Sequence, residues 1–220
     1  MTADLRVVAI DGAAGSGKST LSRGLARALG VPYINTGLMY RALTAAALRA
    51  GVSAEDEQGL VNLMADLRFT LAGDDPAEIE VEGYPSEALT TREVELTVST
   101  VARHAAVRER MRAQQREIGL DGAVMEGRDI ATVVFPDAPV KLFLQADEEA
   151  RSARRTLERT GRDPSEVADA LRRRDAHDAR TNPLEPAPDA SVIDTGLLDA
   201  DAAIAEALRI VRASWDEGDR

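Results

Sequence analysis

Apolar positions along the 220-residue chain fall into two alternating rhythms. Leu5-Arg6-Val7-Val8-Ala9-Ile10 is a short apolar run ending at Asp11-Gly12, which predicts a strand buried on both faces. In residues 19–29, Leu21, Leu25, Ala28 and Leu29 take a helical spacing, and Gly30 predicts the stop. Residues 31–34 predict a second strand and residues 39–50 an alanine-rich helix ended by Gly51. The rhythm then changes. Residues 67–71 and 79–82 alternate apolar and polar around Gly73-Asp74-Asp75-Pro76, a hairpin signal within a helical stretch. Helical spacing resumes over 91–118, and 124–125 and 140–144 predict two more core strands. A charged helical region spans 148–180, broken near Gly161 and Pro164; a last strand at 191–195 precedes a closing helix at 202–215. Strands alternating with helices predict an α/β fold, a parallel sheet flanked by helices, in one domain over 1–220. Residues 183–188 read as a rigid proline-rich connector.

Composition narrows the function classes. The 44% hydrophobic content suffices for a core, whereas 3% aromatics argue against a stacking platform for single-stranded nucleic acid. A net charge of −11 argues against a general nucleic-acid binder. With no cysteine there is no disulfide framework, and the two histidines, His104 and His177, lie too far apart for a zinc site. No apolar run approaches membrane length, so the expectation is a cytoplasmic, soluble protein without a membrane partner. Arginines number 25 against two lysines, Lys18 and Lys141, and nine arginines fall in 151–180. A locally basic segment in an acidic protein suits a small polyanionic ligand.

Gly12-Ala13-Ala14-Gly15-Ser16-Gly17-Lys18-Ser19 satisfies G-x-x-x-x-G-K-S/T in full, after a predicted strand and opening a predicted helix. Glycines let backbone N–H groups turn inward around phosphates, and the helix that follows adds its positive end. This makes 12–20, through Thr20, the expected ATP site. Lys18 would reach the β- and γ-phosphates, and the Ser19 hydroxyl would ligate Mg²⁺. A guanine-reading Asn-Lys-x-Asp motif is absent, which removes GTP switches. A small chain with an arginine-rich late segment points to a small-molecule kinase with a mobile lid.

Further motifs carry a more specific resemblance. Thr36-Gly37-Leu38-Met39-Tyr40-Arg41, the segment from Glu126-Gly127-Arg128-Asp129 to Phe135-Pro136, Arg174-Asp175-Ala176-His177-Asp178, and Asp189 to Thr195 occur in order. The pattern resembles the bacterial cytidylate kinase family from about Val8 to Gly196. The resemblance implies a P-loop kinase fold with an insert at 36–108 for the nucleoside monophosphate, carrying a small antiparallel sheet, and a short helical lid at 151–181. It also implies action on ATP and CMP or dCMP, with Mg²⁺; a monomer is the expectation. By matching position, Thr36, Arg41 and Arg128 would hold the acceptor phosphate, and Ser99, Arg108 and Asp129 would read the cytosine edge. Arg174 and Asp178 would reach the ribose and lid-side phosphates, with Lys18, Arg128 and Arg174 as the catalytic cations. The chain departs from the family at two places: Thr181 stands where a second arginine is common, with Arg180 one residue early, and Glu126 stands where Asp is common.

Each of these residues has a plainer alternative. Arg41 and Arg108 are surface charges, Ser99 is a hydroxyl bonding one turn back, Thr36 caps a helix starting near Leu38, and Asp129 pairs with Arg128. Two other functions fit the P-loop: a kinase for UMP or a shikimate-like acceptor, and a non-catalytic nucleotide sensor. The hairpin at 67–82 is expected to lie outside the core sheet, on the acceptor side.

Overall fold

Strand β1 (Val7–Gly12) is buried along its whole length and feeds two cores. Successive side chains point to opposite faces, so Val7 and Ala9 join one cluster while Val8 and Ile10 join the other. The computed structural model that shows this describes residues 6–158, 163–181 and 184–218.

Helix α1 (Lys18–Leu29) buries Leu21 and Leu25 against the second core and ends at Gly30 in the left-handed region, as the sequence predicts. Strand β2 (Tyr33–Asn35) leads directly into α2 (Thr36–Ala50), which stops at Gly51. A short helix α3 (Glu57–Leu63), not predicted, precedes β3 (Phe69–Ala72) and β4 (Glu78–Val81). After α4 (Ser86–Leu89), the predicted long helix is two helices, α5 (Arg92–Ala102) and α6 (Ala105–Gly119), separated at Arg103-His104. Strand β5 (Ala123–Gly127) and a π-helical turn at Ile130–Val134 lead to β6 (Val140–Gln145). The charged region forms α7 (Glu148–Glu158) and α8 (Pro164–Thr181); the predicted break at Gly161 lies outside the described residues. Strand β7 (Ser191–Asp194) and α9 (Ala200–Gly218) close the chain, α9 covering the second core with Ala203, Ala207 and Val211. Among the described residues no helix is long and apolar enough to cross a membrane.

The seven strands run in the order β3-β4-β2-β5-β1-β6-β7, parallel except for the β3–β4 pair. The expected antiparallel hairpin is there, but its expected place is wrong. Strand β4 pairs with β2 through Tyr33 and Glu78, so the hairpin extends the core sheet instead of lying outside it. The cause is the edge of β2, whose buried backbone needs partners. The Tyr33 N–H donates to the Ala77 carbonyl at 2.8 Å, and the Glu78 carboxylate receives a fork from Arg23 of α1.

Chain connections leave β1 and β5 in opposite directions, α1 towards β2 and the π-turn towards β6. Their carboxyl ends therefore open onto a crevice at a topological switch point.

Candidate active site

The first wall of the crevice is the loop at the end of β1. A Cβ on Gly12 would sit 2.5 Å from the Leu144 carbonyl oxygen, so only glycine lets the loop leave the sheet here. Gly17 is left-handed (φ 82°) and caps α1, turning the helix N-terminus towards the crevice. Lys18 folds over the loop, its Nζ donating to the carbonyls of Gly12 at 2.8 Å and Ala13 at 2.6 Å.

Beside it, Ser19 Oγ donates to Glu126 Oε1 at 2.7 Å, and the buried Tyr33 hydroxyl donates to the same oxygen at 2.6 Å. Glu126 Oε2 is buried and has no hydrogen-bond partner among the described residues. Two hydroxyls thus fix a carboxylate next to Ser19 and leave its second oxygen free. Tyr33 is a site residue the sequence reading missed, because its motif position reads as strand packing. Burial and the neighbouring Glu126 push its hydroxyl well above the ordinary tyrosine range.

The second wall is α2. Asn35 occupies the N-cap, and the helix begins at Thr36 rather than near Leu38. Thr36 Oγ1 donates to the Glu126 carbonyl at 2.7 Å, while Thr36, Gly37 and Leu38 line the cleft with a first turn free of acids. Such a helix start is suited to an anion. Arg41 is only 9% exposed, which overturns its surface alternative. Its Nη1 donates to the Leu89 carbonyl at 3.0 Å, Nη2 lies 3.9 Å from Glu95, and burial pushes its pKa down to about 10.

At the end of β5 the turn departs from the expected pairing. Asp129 does not pair with Arg128: Arg108 and Arg112 of α6 both donate to its Oδ2. Arg128 instead donates to the Gly12 carbonyl at 2.5 Å and pairs with Asp178 of α8 at 2.9 Å. Ser99 of α5 is half-buried and lines the cleft. Of the predicted residues, the side chain of Arg174, like that of Arg180, lies outside the described residues.

These walls enclose a cleft of about 370 Å³. It brings together Ala14, Gly15 and the 17–20 stretch with Thr36, Arg41, Ser99, Arg108, Arg128, Asp129 and Asp178. Gly12, Ala13 and Ser16, the other predicted residues of the loop, do not line the cleft. Arg155 of α7 lines it as well, and Arg151 reaches the Ala14 carbonyl at 3.2 Å. Both were hidden in sequence among many arginines. Among the described residues the cleft holds five basic side chains (Lys18, Arg41, Arg108, Arg128, Arg155) against three acidic ones (Glu126, Asp129, Asp178), an excess of positive charge in an acidic protein.

One buried carboxylate had no sequence signal beyond its place before Gly12. Asp11 accepts the N–H of Ile130 at 2.9 Å and of Ala131 at 2.8 Å, tying β1 to the turn that carries Asp129. Burial pushes its pKa from 3.8 up to about 6, against the pull of both N–H donors. A folded-state value above the unfolded one means the contribution is full at low pH and lost as pH rises through about 6. At neutral pH the ionised group therefore costs on the order of 3 kcal/mol relative to acid. Asp11→Asn stays neutral and lacks that slope. Between about pH 4 and 7.5, urea midpoints should shift in favour of Asp11→Asn relative to wild type. A wild-type-to-variant gap that stays constant with pH would refute this.

Comparison with known proteins agrees with the geometry. The cytidylate kinase family profile matches residues 8–213. A cytidylate kinase of Geobacter sp. (strain M21) is 40% identical, covering 97% of this chain and 96% of that one. One from Mycobacterium avium (strain 104) is 44% identical over 89% of this chain and 90% of its own. An uncharacterised protein from Eubacterium ventriosum ATCC 27560, 15% identical with a TM-score of 0.54 over 96% of this chain and 99% of that one, shares the fold alone. The chain belongs to the cytidylate kinase family.

Proposed function

We propose that this chain moves the γ-phosphoryl group of ATP onto CMP or dCMP, giving ADP and CDP or dCDP. One observation carries the reading: a single cleft joins a complete P-loop to an arginine-rich acceptor site ending at a buried carboxylate. The P-loop and α1 N-terminus bind the ATP phosphates. Thr36, the α2 N-terminus, Arg41 and Arg128 hold the acceptor phosphate, and arginine forks suit its paired oxygens. Ser99, Arg108 and Asp129 face the base, and a carboxylate accepts from cytosine N4 but is repelled by uracil O4.

Residues 36–108 serve as the acceptor insert and 151–181 as the lid. This is supported by Arg151 on the P-loop and Asp178 on Arg128, which already bring lid residues to the site. Arg174 remains assigned to the lid-side phosphates. The chain is read as a monomer that acts on small molecules.

An acceptor phosphate oxygen attacks Pγ as the bond to the ADP oxygen breaks. The transition state is loose, so positioning and charge neutralisation supply most of the rate. Mg²⁺ would supply positive charge to the phosphates and fits the residues present: Ser19 Oγ and Glu126 Oε2, which has no hydrogen-bond partner among the described residues, would hold it. Among the described residues no cluster of three acidic or histidine side chains forms an all-protein metal cage, and a Mg²⁺ shared with phosphates needs none. Lid closure over the cleft would keep water from the γ-phosphate.

The decisive experiment is an acceptor panel with ATP and Mg²⁺. CMP or dCMP should give a kcat/KM at least about 10²-fold above UMP, with no turnover of shikimate. EDTA should abolish turnover. Preference for UMP or shikimate would overturn the acceptor assignment, and full activity in EDTA would overturn the metal assignment.

A further inference from the structure

Helix α6 carries arginines one helical repeat apart at 108, 112 and 116, and all three grip one short segment. Like charges four residues apart on a helix repel, so this ladder needs an acceptor between its members. Arg108 Nη2 donates to Asp129 Oδ2 at 2.8 Å, and Arg112 donates Nε and Nη2 to the same oxygen at 3.2 and 2.7 Å. Arg116 donates to the carbonyls of Val134 at 2.8 Å and Val133 at 2.7 Å, at the far end of the π-turn. From the opposite side Asp11 holds the first two N–H groups of that turn. Among the described residues no hydrogen bond reaches Asp129 Oδ1.

The two arginines on Asp129 are not equivalent. Arg108 lines the cleft, whereas Arg112 does not and reaches the carboxylate from outside it. We infer that Arg112 is a positioning residue for acceptor-base choice, fixing Oδ2 so that Oδ1 alone is presented to the base. The inference rests on the proposed reading of Asp129 as the acceptor for the cytosine amino group. Two N–H bonds from one planar guanidinium converge on Oδ2 and fix where that oxygen sits, which leaves Oδ1 on the other side of the rigid carboxylate. Arg108, which faces the base, has a second task there. When it turns to the base, Arg112 is the cation that keeps Asp129 in place.

Arg112→Met retains an apolar stem and removes both donors. In the full chain, kcat/KM for CMP should fall on the order of tenfold while that for UMP changes less than about threefold. The KM for ATP should stay within about twofold of wild type, and calorimetric binding of CMP and UMP should show the same loss of contrast. Arg112→Lys, a point charge without the fork, should fall between wild type and Arg112→Met. A merely structural role would lower CMP and UMP together; that outcome, or an unchanged ratio, overturns the inference. If Arg112→Met does not fold, Arg112→Lys is read by the same two outcomes. Asp129→Asn separates the layers. Where it alters base choice and Arg112→Met does not, the positioning role fails and the reading of Asp129 stands; where neither does, that reading fails.

Discussion

Lys18→Ala is expected to leave the fold intact and to lower kcat on the order of 10²-fold or more. In the structure the ammonium lies on the Gly12 and Ala13 carbonyls, within the loop that would wrap the phosphates. Those two bonds are local and half-buried, so their loss should move the melting temperature by only a few degrees. Charge developing on the β–γ bridging oxygen, by contrast, has no other lysine to meet it: the second lysine of the chain, Lys141, pairs with Asp189. Single-turnover measurement of ADP formation with CMP checks this, with circular dichroism as the fold control. A Lys18→Ala protein with near-normal kcat would remove the P-loop from the mechanism.

The parts of the site written in local sequence were legible. The Gly12–Ser19 loop, the strand before it and the helix after it are set by glycine geometry and hydrophobic period, which act over a few residues. The helix stops at Gly30 and Gly51 follow from the same local chemistry and are where they were expected. The placement of the hairpin was not legible. One residue pair, Tyr33 with Glu78, joins it to the core sheet, and nothing in 67–82 announces a partner 45 residues upstream. The partner of Asp129 was misread for a related reason. Adjacency suggested Arg128, but the turn at the end of β5 sends the two side chains apart, Arg128 to Gly12 and Asp178, Asp129 to α6. Arg112 and Arg116 carried a signal, the four-residue spacing from Arg108, that 25 arginines in the chain made indistinct. Asp11 carried none, because a buried carboxylate between an apolar strand and a glycine looks like a strand terminus. Its two bonds to the chain at 130–131 exist only once β1 and β5 lie side by side.

The arginine fork also sharpens what the Asp129 substitutions should do. Asp129 is 9% exposed, and its Oδ2 takes three N–H bonds from Arg108 and Arg112. An amide in its place has one oxygen, and the two guanidinium groups, being donors only, demand it. Asp129→Asn should therefore turn its NH₂ to the base. That group donates to uracil O4 and meets the cytosine amino group donor to donor. The expected result is a fall in kcat/KM for CMP and a rise for UMP, moving the CMP-over-UMP ratio on the order of 10²-fold. Asp129→Ala removes the hydrogen bond without replacing it and leaves both arginines short of their acceptor. It should lower turnover of CMP strongly and raise that of UMP little. Neither change touches the P-loop, so the KM for ATP should remain within about twofold of wild type. Initial rates with each acceptor at saturating ATP decide the matter. If both substitutions keep the full preference for CMP, Asp129 serves only to neutralise Arg108 and Arg112, and the base is read elsewhere in the cleft.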